Sequence, residues 1–204
     1  MDYVFAVVPL FILMGLFSTM SGATEELFVS AQLLLGRIRG GLGIATVLAN
    51  AVFAAITGVS IASAAVFTKI ALPQMKRHHY DPKFSLGIVA TSAILGMLIP
   101  PSMLMIVYGV LTEQSIGRLF VSGIIPGLIV TLVLSLGIYI RVRINPVIGG
   151  KTTEKKRMGL NELIRIAATP WAVLLLISTV LGGIWGGIFT PTEAGAVGAA
   201  GAFL

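Results

Sequence analysis

The sequence predicts an all-α integral membrane protein with several membrane-spanning helices. Of its 204 residues, 56% are hydrophobic and only 11% are charged, and the mean hydropathy is +1.00. An average soluble domain carries about 25% charged residues, because its surface must be solvated. The Lys and Arg residues stand between the apolar runs, as they do in the loops of membrane proteins. These observations exclude an ordinary soluble domain, a disordered chain and a coiled coil.

The charge and residue types also limit the chemistry. The net charge is +6, but the sequence has no basic stripe with interleaved aromatic residues, so we expect no nucleic-acid partner. There is no cysteine, which excludes disulfides, thiolate metal sites and cysteine nucleophiles. His78 and His79 lie in a hydrophilic loop, where we expect them to be solvated rather than to hold a metal ion.

The first two segments predict a span and a mixed helix. Residues 3–20 are an uncharged apolar run of 18 residues, just long enough to cross a bilayer as a helix. Asp2 is the only charge ahead of this run, whereas a signal peptide has a basic flank, so we expect no signal peptide. Residues 25–39 place leucines between polar positions, which is typical of an interfacial amphipathic segment or a short tilted helix.

Residues 42–75 predict a re-entrant helical hairpin. This apolar stretch is interrupted at 57–60, and each limb (42–56 and 61–75) would be about 22 Å long as a helix. Each limb is therefore shorter than the ~30 Å hydrocarbon core. Basic residues flank both ends of the stretch: Arg37 and Arg39 before it, Lys76 and Arg77 after it. Two short limbs, a polar tip and two ends on one basic side favour re-entry over two short tilted spans joined by a tight turn.

A second apolar run, residues 84–111, predicts a helix broken by proline. The interruption is Ile99-Pro100-Pro101-Ser102. Two consecutive prolines remove two backbone donors, and Pro100 biases Ile99 away from the helical region. Carbonyl groups near the interruption lose their helical partners, which a bilayer tolerates only where protein, water or a bound ion satisfies them. A plain proline kink is the alternative interpretation.

The remaining chain predicts two further spans and an incomplete one. Residues 119–140 form one apolar span and residues 167–189 another, with a basic polar loop at 141–165 between them. Residues 192–204 begin a further apolar segment that is too short to span. Glycines near the end of the second span favour close packing: Gly182, Gly183, Gly186 and Gly187.

The basic clusters test this topology. If residues 76–83 and 141–165 both face the cytoplasm, an even number of crossings must separate them. The runs at 84–111 and 119–140 supply two crossings, and the hairpin begins and ends on the same side. The first span would then start outside.

The membrane-embedded residues predict ion and substrate binding rather than catalysis. Residues 58–62 begin like a nucleophile elbow but lack its second glycine, and no histidine base or aspartate pair lies in the apolar runs. Carbonyl groups at the two interruptions remain as ligands, and hard cations bind such oxygens. Hydroxyl groups add to them: Thr57, Ser60, Ser63 and Ser102. The alternative is that each hydroxyl bonds its own helix backbone.

Short motifs follow one another in a specific order over nearly the whole chain. They are VPLFILMG (8–15), GGL (40–42), ITGVSIA (56–62), LPQM (72–75), LIPPS (98–102), YG (108–109), SIG (115–117), LF (119–120), Gly123, PG (126–127) and GIFTPTEA (187–194). With these motifs the sequence resembles the large membrane subunit of the tripartite ATP-independent periplasmic (TRAP) transporters.

The resemblance implies the first half of an elevator-type secondary transporter built from inverted repeats and driven by a Na⁺ gradient. A periplasmic binding protein would deliver small organic acids, and a small membrane subunit would assemble with the chain in the bacterial or archaeal inner membrane. No cofactor beyond the coupling Na⁺ is expected. The implied parts are a scaffold span with the amphipathic segment (1–41), a transport-domain part (42–118), a span with the basic loop (119–166), and a span with the start of the second repeat (167–204).

The resemblance also implies site residues. The implied Na⁺ ligands lie in the hairpin tip and the proline break: Thr57, Gly58, Val59, Ser60, Gly96, Pro100 and Ser102. The implied substrate contacts are Ser60, Ser63, Pro101 and Ser102. For residues 190–194, which would open the second repeat, we favour a structural role.

Two departures from the family pattern matter. The family usually shows Ser-Gly-Ser-Ser at the hairpin tip, whereas this chain has Thr57-Gly58-Val59-Ser60. Val59 has no hydroxyl, so only its carbonyl can serve as a ligand. The family's large subunit is also about twice as long, with its second hairpin in the half that this chain lacks. Two alternatives therefore stay open: a truncated, non-transporting membrane scaffold, and an ion channel in which the prolines form a gate hinge.

Overall fold

The computed structural model describes residues 6–150, 166 and 168–203, and every regular element in these residues is helical. This confirms the predicted all-α class. The helices are α1 (Val7–Met20), α2 (Ala23–Leu35), α3 (Gly41–Thr57), α4 (Ser60–Arg77), α5 (Pro82–Ala93), α6 (Leu95–Leu98), α7 (Met103–Leu111), α8 (Ile116–Ile144), α9 (Trp171–Trp185) and α10 (Pro191–Phe203), with a 3₁₀ turn at Pro146–Ile148. The start of the first predicted span and most of the predicted loop at 141–165 lie outside the described residues.

Two helical stretches of the described chain are long and apolar enough to cross a bilayer: Pro82–Leu111 and Ile116–Ile144. The first contains the predicted break, and the second covers the predicted span at 119–140. Helices α1 and α2 pass the same test only as a pair, with a bend of 65° between them. Helix α1 therefore ends at Met20, where the first predicted span ends, and the mixed segment leaves it as a separate helix.

Helix α3 lies at the centre of the fold. All but three of its 17 residues are buried, and α1, α2, α4, α5, α6 and α8 pack against it. A helix that is apolar on every side requires such an environment. Because protein surrounds α3, its short length is compatible with a position inside the bilayer.

The start of α3, the end of α4 and the end of α8 meet at one end of the molecule. Tyr80, just after α4, pairs with Gly149 in an isolated antiparallel bridge, and the Asp81 N–H donates to the Ile148 carbonyl at 3.1 Å. Gly40, just before α3, packs against Val142 of α8. Both ends of the helical hairpin and the basic end of α8 therefore lie on the same side.

The phenol of Tyr80 lies beside the first turn of α3. Burial raises the pKa of Tyr80 above its ordinary value of 10.0, and hydrogen bonds from the backbone amides of Gly43 and Leu42 oppose this effect only in part. The phenol is therefore neutral at physiological pH. It gives a partner to amide groups that have none within the helix.

Helix α9 differs from the prediction in length. The span predicted at 167–189 is helical only to Trp185, because the chain then folds back. The N–H of Phe189 donates to the Gly183 carbonyl at 3.1 Å, and the Phe189 ring occupies the space where a Gly183 side chain would be. This close approach explains at least one of the glycines predicted to serve packing.

A capping box starts α10. The backbone N–H and the hydroxyl of Thr190 both donate to the Glu193 carboxylate at 2.8 Å, and the Glu193 N–H donates to the Thr190 hydroxyl at 3.3 Å. Such reciprocal bonds satisfy amide groups that the first turn of a helix leaves unpaired. Thr190 and Glu193 therefore cap the start of α10, and a structural role for the whole motif at 190–194 stays a prediction.

A buried hydrogen bond joins α3 to α5. The Asn50 amide nitrogen donates to the Ser92 hydroxyl oxygen at 2.9 Å, and the Ser92 hydroxyl donates to the Val89 carbonyl at 3.2 Å. Asn50 and Ser92 are both fully buried. The pair therefore links the first limb of the hairpin to the helix that leads into the proline break.

We expect Ser92→Ala to destabilise the protein, because it leaves the buried Asn50 amide without a partner. The expected loss is about 1–3 kcal/mol in the free energy of unfolding. Thermal unfolding in detergent would show it as a lower melting temperature. The matched control is Ser178→Ala, because the Ser178 hydroxyl makes the same kind of bond (2.7 Å to the Leu174 carbonyl) at an exposed position. Equal melting temperatures for the two variants would contradict the prediction.

Candidate functional site

The hairpin tip, residues 57–60, reverses the chain within two residues. Thr57 ends α3, Gly58 follows in the left-handed conformation with φ +62°, Val59 is extended with φ −130°, and Ser60 begins α4. Glycine adopts a positive φ without the strain that a side chain would add, which is why it commonly follows the last residue of a helix. The local sequence thus explains the sharp turn.

Residues 99–102 separate α6 from α7, and we call residues 96–102, which include the end of α6, the proline break. Ile99 and Ser102 have extended backbone conformations, with ψ of 124° and 128°. Pro100 and Pro101 lie between them and are buried. The helix is therefore interrupted at the predicted residues. The helix is also interrupted at Ile94, between α5 and α6, which was not predicted.

The hairpin tip and the proline break touch through their backbones. The Met103 N–H, at the start of α7, donates to the Gly58 carbonyl at 3.1 Å. A Cβ atom on Gly58 would overlap the Pro101 carbonyl oxygen. A Cβ on Gly96 would lie 3.0 Å from the Ser60 backbone nitrogen. The structure thus brings together two interruptions that stand some 40 positions apart in the sequence.

We call the region where the hairpin tip meets the proline break the junction. The contacts of α8 with the proline break indicate its depth in the bilayer. A Cβ on Gly123 would lie 2.7 Å from the Leu98 carbonyl oxygen, and one on Gly127 would lie 2.7 Å from the Ile99 side chain. Gly127 and Gly123 lie about 21 and 27 Å from Arg141 along the helix axis. Arg141 marks the basic end, and the hydrocarbon core is ~30 Å thick. These distances match a tip inside the bilayer; re-entry itself stays a prediction.

Helix ends of both polarities converge at the junction. Helix α3 ends there, and α4 and α7 begin there. In the described structure, neither Val59 nor Ser102 makes a side-chain cap to the helix that it precedes. Amide groups at a helix start attract anions, and carbonyl groups at a helix end attract cations. The junction therefore offers ligands for a cation and for an anion side by side.

Three of the four predicted hydroxyl groups differ in their hydrogen-bond partners. Thr57 bonds the Phe53 carbonyl of its own helix at 3.3 Å, which is the alternative that we considered for all of them. Ser102 is fully buried and donates across the break to the Met97 carbonyl at 2.7 Å. The Ser63 hydroxyl is buried and has no hydrogen-bond partner among the described residues. A hydroxyl that donates its proton keeps lone pairs for a cation.

Two residues, one beside the hairpin tip and one farther along α3, were not predicted. Gly15 of α1 packs against Thr57 so closely that a Cβ would overlap its methyl group. Asn50 lies seven residues before Thr57, and its buried amide oxygen has no partner in the described part of the chain. An amide in the otherwise apolar limb 42–56 was a usable signal, because polar groups inside a membrane generally have specific partners.

Comparisons with known proteins identify relatives over the whole chain. Residues 1–204 match the family model described as the tripartite ATP-independent periplasmic transporter, DctM component. The chain is 43% identical to the C4-dicarboxylate TRAP transporter large permease protein DctM of Pseudomonas aeruginosa, over 97% of this chain and 45% of that protein. It is 37% identical to the sialic acid TRAP transporter permease protein SiaT of Haemophilus influenzae, over 95% and 30%. The chain thus spans less than half the length of these curated relatives.

Proposed function

Because the chain belongs to the DctM component family of the tripartite ATP-independent periplasmic transporters, we propose that it is part of a secondary transporter that imports small organic acids with Na⁺. The chain is an integral membrane permease component with apolar helices, and its proposed place is the inner membrane of a bacterium or archaeon. In this role it binds and moves its substrate without chemical change, so it is not an enzyme.

One observation supports this function most directly: the hairpin tip touches the proline break about 21–27 Å from the basic end of α8. A cation held there would be bound by backbone carbonyls and hydroxyls, as hard cations are. We propose that Na⁺ binds between the two interruptions, at Thr57, Gly58, Val59, Ser60, Gly96, Pro100 and Ser102. Broken helices hold coupling ions in this way in many transporters.

We propose that the substrate lies beside this ion, at the starts of α4 and α7. Its contacts would be Ser60, Ser63, Pro101 and Ser102. The amide groups at these two helix starts favour the carboxylate of an organic acid. The buried hydroxyl of Ser63 is one turn into α4 and lacks a partner among the described residues, so it is available to a ligand.

Our proposal for the substrate class and the partners is supported by the relatives. Three relatives are named for C4-dicarboxylate and two for sialic acid, which are carboxylates, and one is named for isethionate, a sulfonate. We therefore propose a C4-dicarboxylate or sugar-acid substrate. A periplasmic binding protein would deliver it, and a small membrane subunit would complete the transporter.

The test is Na⁺-driven uptake of labelled C4-dicarboxylates and sugar acids into proteoliposomes. One preparation contains this chain alone, and the other contains it with the products of its neighbouring genes, including any downstream half of the permease. We expect uptake only in the second preparation, only with an inward Na⁺ gradient, and only with the binding protein present.

Each of the other outcomes would contradict the proposed function. No uptake by correctly folded protein in either preparation would favour a non-transporting scaffold. Flux at channel rates without a binding protein would favour an ion channel. Uptake by the chain alone would contradict the view that it holds only part of the site.

A further inference from the structure

A cavity of about 300 Å³ lies between the end of α4 and the start of α5, far from the hairpin tip. We call it the α4–α5 groove. Six residues line it: Leu72, Lys76, Tyr80, Pro82, Ser85 and Leu86. It lies at the same end of the molecule as the basic end of α8, because Tyr80 pairs with Gly149.

The groove is polar at one end and apolar at the other. Leu72 lies one helical turn before Lys76 on α4, on the side of the membrane interior, and Leu86 lies one turn after Pro82 on α5. Leu86 is 55% exposed in the protein, so the apolar end opens toward the lipid. The groove therefore runs from the membrane interface into the hydrocarbon region.

The polar end is positively charged. Residues 76–83 contain three basic side chains and one carboxylate, so their net charge is +2 with neutral histidines. The carboxylate, Asp81, accepts the Phe84 N–H at 2.8 Å and thus caps its own helix. Lys76 is exposed and is the charged residue among those that line the groove. Its ammonium group can therefore bind an anion at the mouth of the groove.

We propose that the α4–α5 groove binds an anionic phospholipid, with the headgroup phosphate at Lys76 and an acyl chain along Leu72 and Leu86. Basic pockets between membrane helices on the cytoplasmic side bind anionic headgroups. A free phosphate would satisfy Lys76 but would leave the apolar end unoccupied, whereas one phospholipid fills both ends. This proposal does not depend on the transport function, because it rests on a different part of the chain.

The test measures lipid binding to the full 204-residue chain in neutral detergent by native mass spectrometry. The probes are phosphatidylglycerol and phosphatidylcholine with identical acyl chains. We expect phosphatidylglycerol to bind preferentially, and Lys76→Gln to reduce its occupancy about fivefold. Leu86→Trp fills the apolar end and should reduce occupancy with the charge unchanged. The matched control is Lys69→Gln, an exposed lysine of α4 outside the groove, which should leave binding unchanged.

Each other outcome overturns the proposal. Equal binding of the two lipids would show that the headgroup charge is not recognised. An unchanged occupancy in Lys76→Gln or in Leu86→Trp would place the lipid elsewhere. Inorganic phosphate that displaces phosphatidylglycerol at millimolar concentration would indicate a free-anion site. A melting temperature measured for each variant in phosphatidylcholine separates loss of binding from loss of folding.

Discussion

Replacing Gly58 by alanine is expected to reduce Na⁺-driven uptake by the assembled transporter to less than a tenth. Two costs combine in this variant. A non-glycine residue at φ +62° is strained by roughly 1–2 kcal/mol, and the new Cβ overlaps the Pro101 carbonyl oxygen, a backbone atom that has little room to move. The hairpin tip and the proline break must then separate, which pulls apart the two halves of the proposed Na⁺ site. Uptake of labelled substrate into proteoliposomes measures the effect.

A matched control variant separates the effect of backbone strain from the effect of the overlap with the Pro101 carbonyl oxygen. Gly22, between α1 and α2, also has a positive φ (+81°), but no atom lies within 4 Å of the position that its Cβ would take. Gly22→Ala therefore carries the backbone strain alone, and we expect it to keep at least about half of the uptake. If both variants lost activity equally, contact between the hairpin tip and the proline break would not be the cause.

The second large effect is expected for Ser102→Ala, which removes a fully buried hydroxyl at the break. In our proposal this oxygen binds Na⁺ while its proton bonds the Met97 carbonyl. Interactions of a hydroxyl with a charged group contribute about 1.5–3 kcal/mol, so the Na⁺ concentration for half-maximal uptake should rise about tenfold or more. Uptake at saturating substrate, measured against Na⁺ concentration, gives this value.

A loss of folding would also reduce uptake, so a second measurement is needed. Na⁺ that binds only the folded protein raises the melting temperature. We expect Na⁺ to stabilise the original protein and to have little effect on Ser102→Ala. The control is Ser122→Ala, because the exposed Ser122 hydroxyl bonds the Leu119 carbonyl at the same 2.7 Å. A normal Na⁺ response in Ser102→Ala would remove this residue from the proposed site.

Structural features that depend only on the local backbone were predictable from the sequence. Gly58 ends α3, and Pro100 with Pro101 interrupts the helix, at the residues that the sequence indicated. In both cases the cause is local, because glycine permits a positive φ and proline removes a donor. The capping box of Thr190 and Glu193 also has a local cause, and its spacing was a usable signal that we did not use.

Features that depend on distant partners were not predictable from one sequence. Periodicity does not reveal that the amide of Met103 bonds the carbonyl of Gly58, or that Asn50 bonds Ser92 across two helices. The end of α9 is a similar case: residues up to 189 are apolar enough for a span, but Phe189 packs back on Gly183. Whether a segment continues as a helix or folds back to make such a contact depends on the residues that surround it in the tertiary structure.

The sequence by itself determined that this protein lies in a membrane, that its elements are helical, and where two of them are interrupted. Hydropathy and backbone chemistry act residue by residue, so the order of amino acids is sufficient for these conclusions. Only the tertiary structure decided that the two interruptions meet and that Asn50 bonds Ser92. Such proximity follows from how all the helices pack at once, because each contact between distant residues depends on the positions of the others.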